Sequence, residues 1–113
     1  MSTTTTEELA QGWVRALSNV DAFHALCADG CRVWHSTDDK WMTVKEAVDA
    51  VHERGGLPEF ENSRYTLTGK GFFVQTSATL AAARVHLIQV VTVEDGKAIS
   101  AEEYVGAEMD IAV

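Results

Sequence analysis

The chain has 113 residues, of which 46% are hydrophobic and 23% are charged, and it contains a single proline. This length and composition predict one compact globular domain over residues 1–113 and argue against a disordered chain. Seventeen acidic and nine basic side chains give a formal net charge of −8, which repels phosphate backbones and anionic lipid surfaces. We therefore expect neither nucleic acid nor membrane partners.

Two further features bear on the compartment. The N-terminal segment, residues 1–6, lacks the basic and apolar regions of a signal peptide, and no apolar run approaches the ~20 residues of a membrane helix. We therefore expect a cytoplasmic protein. Cys27 and Cys31 belong to no CxxC pair and have no clustered histidines beside them, so we interpret them as two reduced core thiols, with a disulfide or a metal site as the alternatives.

Helical patterns fill the first part of the chain. Thr6 followed by two glutamates predicts a helix start, and apolar residues then recur at spacings of three and four. The pattern predicts a bent amphipathic helix, or two helices in succession, that ends at Gly30. The apolar positions are Leu9, Trp13, Ala16, Leu17, Val20, Phe23, Leu26 and Cys27.

A short hairpin and another helix are predicted next, with strands at 31–35 and 40–42 around a polar turn at 36–39. Thr43 and Glu46 have the spacing of a capping box, in which each side chain satisfies a free backbone N–H at a helix start. Gly55-Gly56 ends this helix, and Pro58 prevents its renewal. Its apolar face consists of Val44, Ala47, Val48 and Val51.

Beyond residue 60 the apolar pattern has a period of two, which is typical of strands. Helices followed by a run of strands predict an α+β fold, in which a cone-shaped, curved antiparallel sheet wraps around the N-terminal helices. The predicted strands are an extended segment around Tyr65 and Leu67, then 72–80, 84–93 and 98–105, joined by turns at 69–71, 81–83 and 94–97.

Four segments of the sequence resemble those of a known family. These segments are Trp13–Leu17, Leu26–His35, Val91–Lys97 and Glu102–Tyr104. In their order and spacing they resemble the nuclear transport factor 2-like superfamily, in particular its SnoaL-like and ketosteroid-isomerase-like branches. The resemblance covers about residues 7–106. It implies a cone-shaped α+β barrel, a homodimer formed through the outer sheet face, and a cavity for small apolar molecules.

The resemblance also suggests where a site would lie. The ketosteroid-isomerase-like pattern has a carboxylate base at the end of the first strand, where this chain has His35. It has a tyrosine donor in the first helix, where this chain has Trp13, and an acid on the long strand, at Ile88 or Gln89. Strand alternation favours Gln89. All three positions depart from the isomerase set.

The epoxide-hydrolase-like branch of the superfamily has a different catalytic pattern. In that branch an aspartate near the last strand works with an Arg and Asp pair on an earlier strand. Glu103 can stand for the aspartate, but residues 75–79 contain neither Arg nor Asp, so the triad would be altered.

His35 and Glu103 are the predicted catalytic residues. A histidine is partly neutral at neutral pH and can accept a proton there, whereas the alternative is a structural histidine satisfied by Asp38, Asp39 or a backbone carbonyl. Either Glu102 or Glu103 must face solvent, because neighbours on a strand point to opposite faces. The predicted ligand-binding residues, chosen as aromatic walls or as polar groups where a filled core would have Val or Leu, are Trp13, Trp34, Trp41, Phe73, Gln75, Ser77 and Gln89.

The sequence thus favours a small-molecule-binding protein with an apolar cavity, able to act as a cofactor-independent isomerase, cyclase or lyase on a small apolar or ring-containing substrate. His35 would be the base, with Glu103 or Gln89 polarising an oxygen, and neither a metal nor a cofactor is expected. The alternatives are a non-catalytic ligand-binding module, a dimeric interaction module with a filled core, and an epoxide-hydrolase-like enzyme with an altered triad.

Overall fold

A computed structural model describes residues 4–109, and the predicted α+β class is confirmed there. A 3-10 turn, Val20–Ala22, lies between α1 and α2. The elements in chain order are α1 (Thr6–Ala16), α2 (Phe23–Leu26), β1 (Cys27–His35), β2 (Lys40–Thr43), α3 (Val44–Glu53), β3 (Glu61–Thr68), β4 (Gly71–Leu80), β5 (Ala83–Glu94) and β6 (Lys97–Ala107).

The strands form one six-stranded sheet in the order β2-β1-β6-β5-β4-β3. All neighbours pair antiparallel except β1 and β6, which run parallel. The sheet predicted to be antiparallel is therefore mixed at this one pair, because the last strand returns between β1 and β5. Within residues 4–109, β2 and β3 remain as open edges, so the cone is not closed into a barrel.

The N-terminal region differs from its prediction. The cap of α1 is Thr5 rather than Thr6, since the Thr5 hydroxyl accepts a hydrogen bond from the Glu8 N–H at 3.1 Å. α1 and α2 are the two helices in succession that the pattern allowed, but β1 already begins at Cys27, where helix was expected. Gly30 does not end a helix but lies in an irregular part of β1, with a φ of +82° that glycine adopts without steric cost.

Other local predictions are confirmed. Thr43 and Glu46 form the capping box of α3, with the Glu46 N–H donating to the Thr43 hydroxyl at 3.1 Å and the Thr43 N–H donating to the Glu46 carboxylate at 3.0 Å. The turn after β5 places Asp95 and Gly96 at positive φ, as an Asp-Gly hairpin turn requires.

The core lies between α1 and the concave face of the sheet. Leu9 and Trp13 of α1 pack against Phe72, Val74 and Val91, all of them at most 3% exposed. Because side chains alternate along a strand, Phe73 and Gln75 must point to the opposite, convex face. The described part of the chain contains no helix that is both long enough and apolar enough to cross a membrane.

Candidate functional site

A cavity of about 640 Å³ lies between the helices and the concave face of the sheet. Its walls are mainly apolar, and residues such as Leu17, Phe23, Val51, Phe60 and Leu87 contribute to them. Ligand sites in proteins usually enclose about 300–1,000 Å³. The cavity is therefore large enough for a small organic molecule.

Three polar side chains lie next to one another on the sheet wall of this cavity. Gln89 of β5 pairs with Glu103 of β6, and Glu103 pairs with His35 of β1. All three are half-buried and line the cavity. Neighbouring strands are about 4.8 Å apart, so residues in one cross-strand row present their side chains side by side. The register therefore brings both predicted catalytic residues and Gln89 together.

A chain of hydrogen bonds fixes two members of this row. The Trp13 indole N–H donates to the Gln89 amide oxygen at 2.8 Å, and the Gln89 amide nitrogen donates to the Glu103 carboxylate at 2.7 Å. An indole can only donate and a carboxylate can only accept, so the orientation of the amide is determined. No other residue in the described range 4–109 bonds to the second N–H of the Gln89 amide or to the second oxygen of Glu103, so both are available to a ligand.

The imidazole of His35 has no hydrogen-bond partner among residues 4–109. The two aspartates that could have held it are engaged elsewhere: Asp39 accepts from the Trp34 indole N–H at 2.9 Å, and Asp38 accepts from the Lys40 backbone N–H at 3.1 Å. His35 therefore has the free ring nitrogens that a base requires.

The other two tryptophans do not offer their rings to the cavity in the way predicted. Trp34 contributes to the lining, but its register partner on β6 is Glu102, and its ring packs against Tyr104 with the centroids 5.1 Å apart. Trp41 pairs with Trp34 and is 49% exposed, outside the lining. Both indoles lie on the convex face. Trp34 directly precedes His35 on β1 and therefore points to the opposite side of the sheet, and Trp41 is its cross-strand partner on the same side.

Phe73, Gln75 and Ser77 also lie outside the cavity lining. They alternate with Val74, which faces the core, and so belong to the convex face. Ser77 is only 4% exposed, and its hydroxyl donates to the Glu61 carbonyl at 3.2 Å and accepts from Arg84 at 2.8 Å. Local hydrogen bonds therefore account for this buried polar residue, and no ligand is needed to explain it.

Sequence reasoning missed the part of the lining that α3 contributes. Ala47, Ala50, Val51 and Arg54 line the cavity, at the three- and four-residue spacing of one helix face. The predicted apolar face of α3 stopped at Val51. Extending it by three residues would have found Arg54.

Cys27 also lines the cavity, and both cysteines are free thiols. A hydrogen bond with Cys31 raises the pKa of Cys27, and burial raises it further, so this thiol stays protonated at neutral pH. The same contact lowers the pKa of Cys31, which is only 4% exposed. Cys27 therefore adds a neutral, weakly polar surface to the cavity.

Comparisons with known proteins identify the fold. No protein-family model and no curated protein matches the chain. Among solved structures, an NTF-2 like protein of Burkholderia xenovorans superposes with a TM-score of 0.82 at 14% identity, over 95% of this chain and 87% of that one. The chain has a nuclear transport factor 2-like fold.

Two other structural neighbours carry more specific descriptions. A putative ketosteroid isomerase of Kribbella flavida has a TM-score of 0.76 at 17% identity, over 96% of this chain and 82% of that one. An LEH-like epoxide hydrolase of M. tuberculosis has a TM-score of 0.66 at 18% identity, over 92% and 84%. At these identities the likeness concerns the fold, and function depends on the residues of the site.

Proposed function

We propose that this protein binds a small apolar or ring-containing molecule in the cavity and catalyses a cofactor-independent proton transfer on it, as in an isomerase, cyclase or lyase reaction. The observation that carries the proposal is the row of His35, Glu103 and Gln89 on an otherwise apolar wall. A filled core does not gather three adjacent polar side chains and leave one of them without a partner. The neighbouring folds, a putative ketosteroid isomerase and an epoxide hydrolase among them, support small-molecule chemistry in such a cavity.

Each member of the row has a distinct role in this proposal. His35 takes a proton from a carbon next to a carbonyl group of the ligand. The free N–H of Gln89 donates to the carbonyl oxygen, on which negative charge develops. Glu103, which accepts the other N–H of Gln89, stabilises the imidazolium formed beside it. Gln89 rather than Glu103 therefore polarises the oxygen.

Deuterium exchange tests this function without knowledge of the natural substrate. The probes are 1-tetralone and 2-cyclohexen-1-one in D₂O, with binding followed by calorimetry and exchange at the carbon next to the carbonyl followed by NMR. We expect the wild-type protein to accelerate exchange, and His35→Ala to slow it by about 10²–10⁴-fold, the usual contribution of a general base. His24→Ala is the matched control, because His24 is exposed and outside the cavity lining.

The outcomes separate the alternatives. Binding without accelerated exchange would replace catalysis by the non-catalytic ligand-binding module. Exchange that survives in His35→Ala would show that His35 is not the base. No binding of any apolar compound would favour the interaction module. Hydrolysis of styrene oxide that is lost in Glu103→Gln would point instead to epoxide-hydrolase-like chemistry with an altered triad.

We also propose that the protein forms a homodimer through the convex face of the sheet. Trp41, Val90 and Tyr104 are 49%, 41% and 42% exposed. Val90 and Tyr104 lie on the adjoining strands β5 and β6, and β1 separates β6 from β2, which carries Trp41. A second copy of this face would cover these apolar side chains, which water solvates poorly.

A further inference from the structure

Some charged groups of the cavity lining have hydrogen-bond partners among the described residues, and one does not. Within residues 4–109 the lining contains the titratable or charged side chains of Cys27, His35, Asp38, Arg54 and Glu103, of which the Cys27 thiol is neutral. Glu103 accepts from Gln89, and Asp38 accepts from the Lys40 N–H. No hydrogen bond or ion pair to the guanidinium of Arg54 is found in the described part of the chain. Arg54 is therefore the strong charge in the lining that has no partner there.

Arg54 directly follows α3 as its C-terminal capping residue, and this position explains why it lines the cavity. It lies three residues after Val51 and seven after Ala47, so it continues the stripe that faces the cavity. Most charged residues of α3 have partners of their own: Lys45 pairs with Asp49 at 2.7 Å, and His52 pairs with Asp21 at 2.8 Å. The cavity-facing stripe thus ends in a cation that has no partner among residues 4–109.

Arg54 lies at the opening of the cavity rather than in its interior. The exposed members of the lining mark this opening, and they are Thr37, Asp38, Arg54, Gly56 and Leu80. Apolar walls lie behind them, with the polar row on the sheet. A ligand that fills the apolar interior and pairs with Arg54 has an apolar body and an anionic end.

We propose that the ligand of this cavity is an amphipathic carboxylate, with its apolar body inside and its carboxylate group paired with Arg54. The planar guanidinium fork matches the two oxygens of a carboxylate. The protein carries a net charge of −8, which opposes general binding of anions, so a preference for carboxylates must come from a local group. This inference rests on the proposed function and narrows its ligand class.

Matched ligand pairs test the inference. The Kd values of 2-naphthoate and 2-naphthamide, and of decanoate and decanamide, are measured by calorimetry on the full chain. We expect wild-type protein to bind each carboxylate about fivefold to tenfold more tightly than its amide, a modest factor because Arg54 is solvent-exposed. The preference should decrease when the ionic strength rises from about 0.05 M to about 0.5 M.

Two arginine variants locate the effect. Arg54→Gln should bind carboxylate and amide equally, whereas Arg15→Gln should keep the wild-type preference. Arg15 is the matched control, because it is also an exposed arginine at the C-terminal end of a helix but lies outside the cavity lining. Circular dichroism and urea unfolding check that both variants keep the fold.

The outcomes are distinct from those that test the proposed function. Equal binding of carboxylates and amides by the wild type overturns this inference while leaving a ligand-binding cavity. An equal loss of preference in Arg15→Gln and Arg54→Gln shows that net charge, not Arg54, selects the ligand, and so also overturns it. Binding of neither series overturns the inference and the proposed function together.

Discussion

Replacing Gln89 by leucine is the sharpest test of how the polar row is built. The change removes the acceptor of the Trp13 indole N–H and the donor to Glu103. Trp13 is 3% exposed, so its N–H is left buried without a partner, which costs about 1–3 kcal/mol. Glu103 faces the cavity, where water can replace the lost donor. We expect the free energy of unfolding to fall by about 2 kcal/mol.

Gln75→Leu provides the matched control. It is the same substitution on the neighbouring strand, but Gln75 lies on the convex face, and its side chain has no hydrogen bond to any of residues 4–109. A change within about 0.5 kcal/mol is expected there. Urea unfolding followed by circular dichroism gives the free energy of unfolding of both variants. If the slope of this free energy against urea concentration is unchanged, the substitution has altered stability alone.

A double-mutant cycle isolates the buried indole N–H. In a Trp13→Phe background no indole N–H is left buried without an acceptor. Gln89→Leu should therefore lower the free energy of unfolding by about 1 kcal/mol less than it does in the wild type. Equal costs in the two backgrounds would mean that the hydrogen bond between Trp13 and Gln89 does not contribute. If Gln89→Leu cost no more than Gln75→Leu, the inward orientation of Gln89 would be refuted as well.

Four further predictions concern a turn, a helix cap and the convex face. Ala82→Gly should raise the free energy of unfolding by about 0.5–1 kcal/mol, because Ala82 has a φ of 68° that disfavours a Cβ, whereas Ala83→Gly, within β5, should lower it. Thr43→Ala should cost about 1 kcal/mol at pH 7 through loss of the helix cap. Hydrogen bonds from Thr43 hold the pKa of Glu46 below its ordinary value of 4.5. The contribution of this carboxylate to the free energy of unfolding is therefore complete above pH 4.5 and is lost as the pH falls through the lowered pKa. Glu46→Gln should therefore unfold at a lower urea concentration than wild type at pH 7 and at the same concentration in strong acid. Tyr104→Lys should shift a dimer toward monomer in sedimentation at several protein concentrations, and a wild-type monomer at the highest concentration would contradict the proposed dimer.

Local sequence signals predicted the elements well where a short-range interaction decides the structure. The spacing of Thr43 and Glu46 predicted the start of α3, because the capping box forms within one helical turn. The Asp95-Gly96 pair predicted the last hairpin, because few residues tolerate a positive φ. The same kind of signal predicted two helices in succession, which α1 and α2 confirm, but it failed between Cys27 and Gly30, where helix was expected and β1 has already begun.

The positions of the polar residues were predicted, but not their contacts. His35, Gln89 and Glu103 were chosen from strand positions and the family resemblance, and the structure places them in one row. The bond from Trp13 to Gln89 joins residues 76 positions apart, and a linear pattern contains no signal for it. Arg54 was missed because only apolar residues were assigned to this helical stripe, and a charged residue at its end was left out.

The sequence by itself determined the α+β class, most turns, the cap of α3 and a set of polar strand positions, since propensity, capping and period depend on neighbours in the chain. Only the tertiary structure decided that β1 pairs parallel with β6 and that Trp41 and Gln75 face outward. The physical reason is that alternation divides a strand into two faces without saying which one is inside. The packing of α1 and α3 on one side of the sheet makes that choice, and it gives His35 and Arg54 a common cavity.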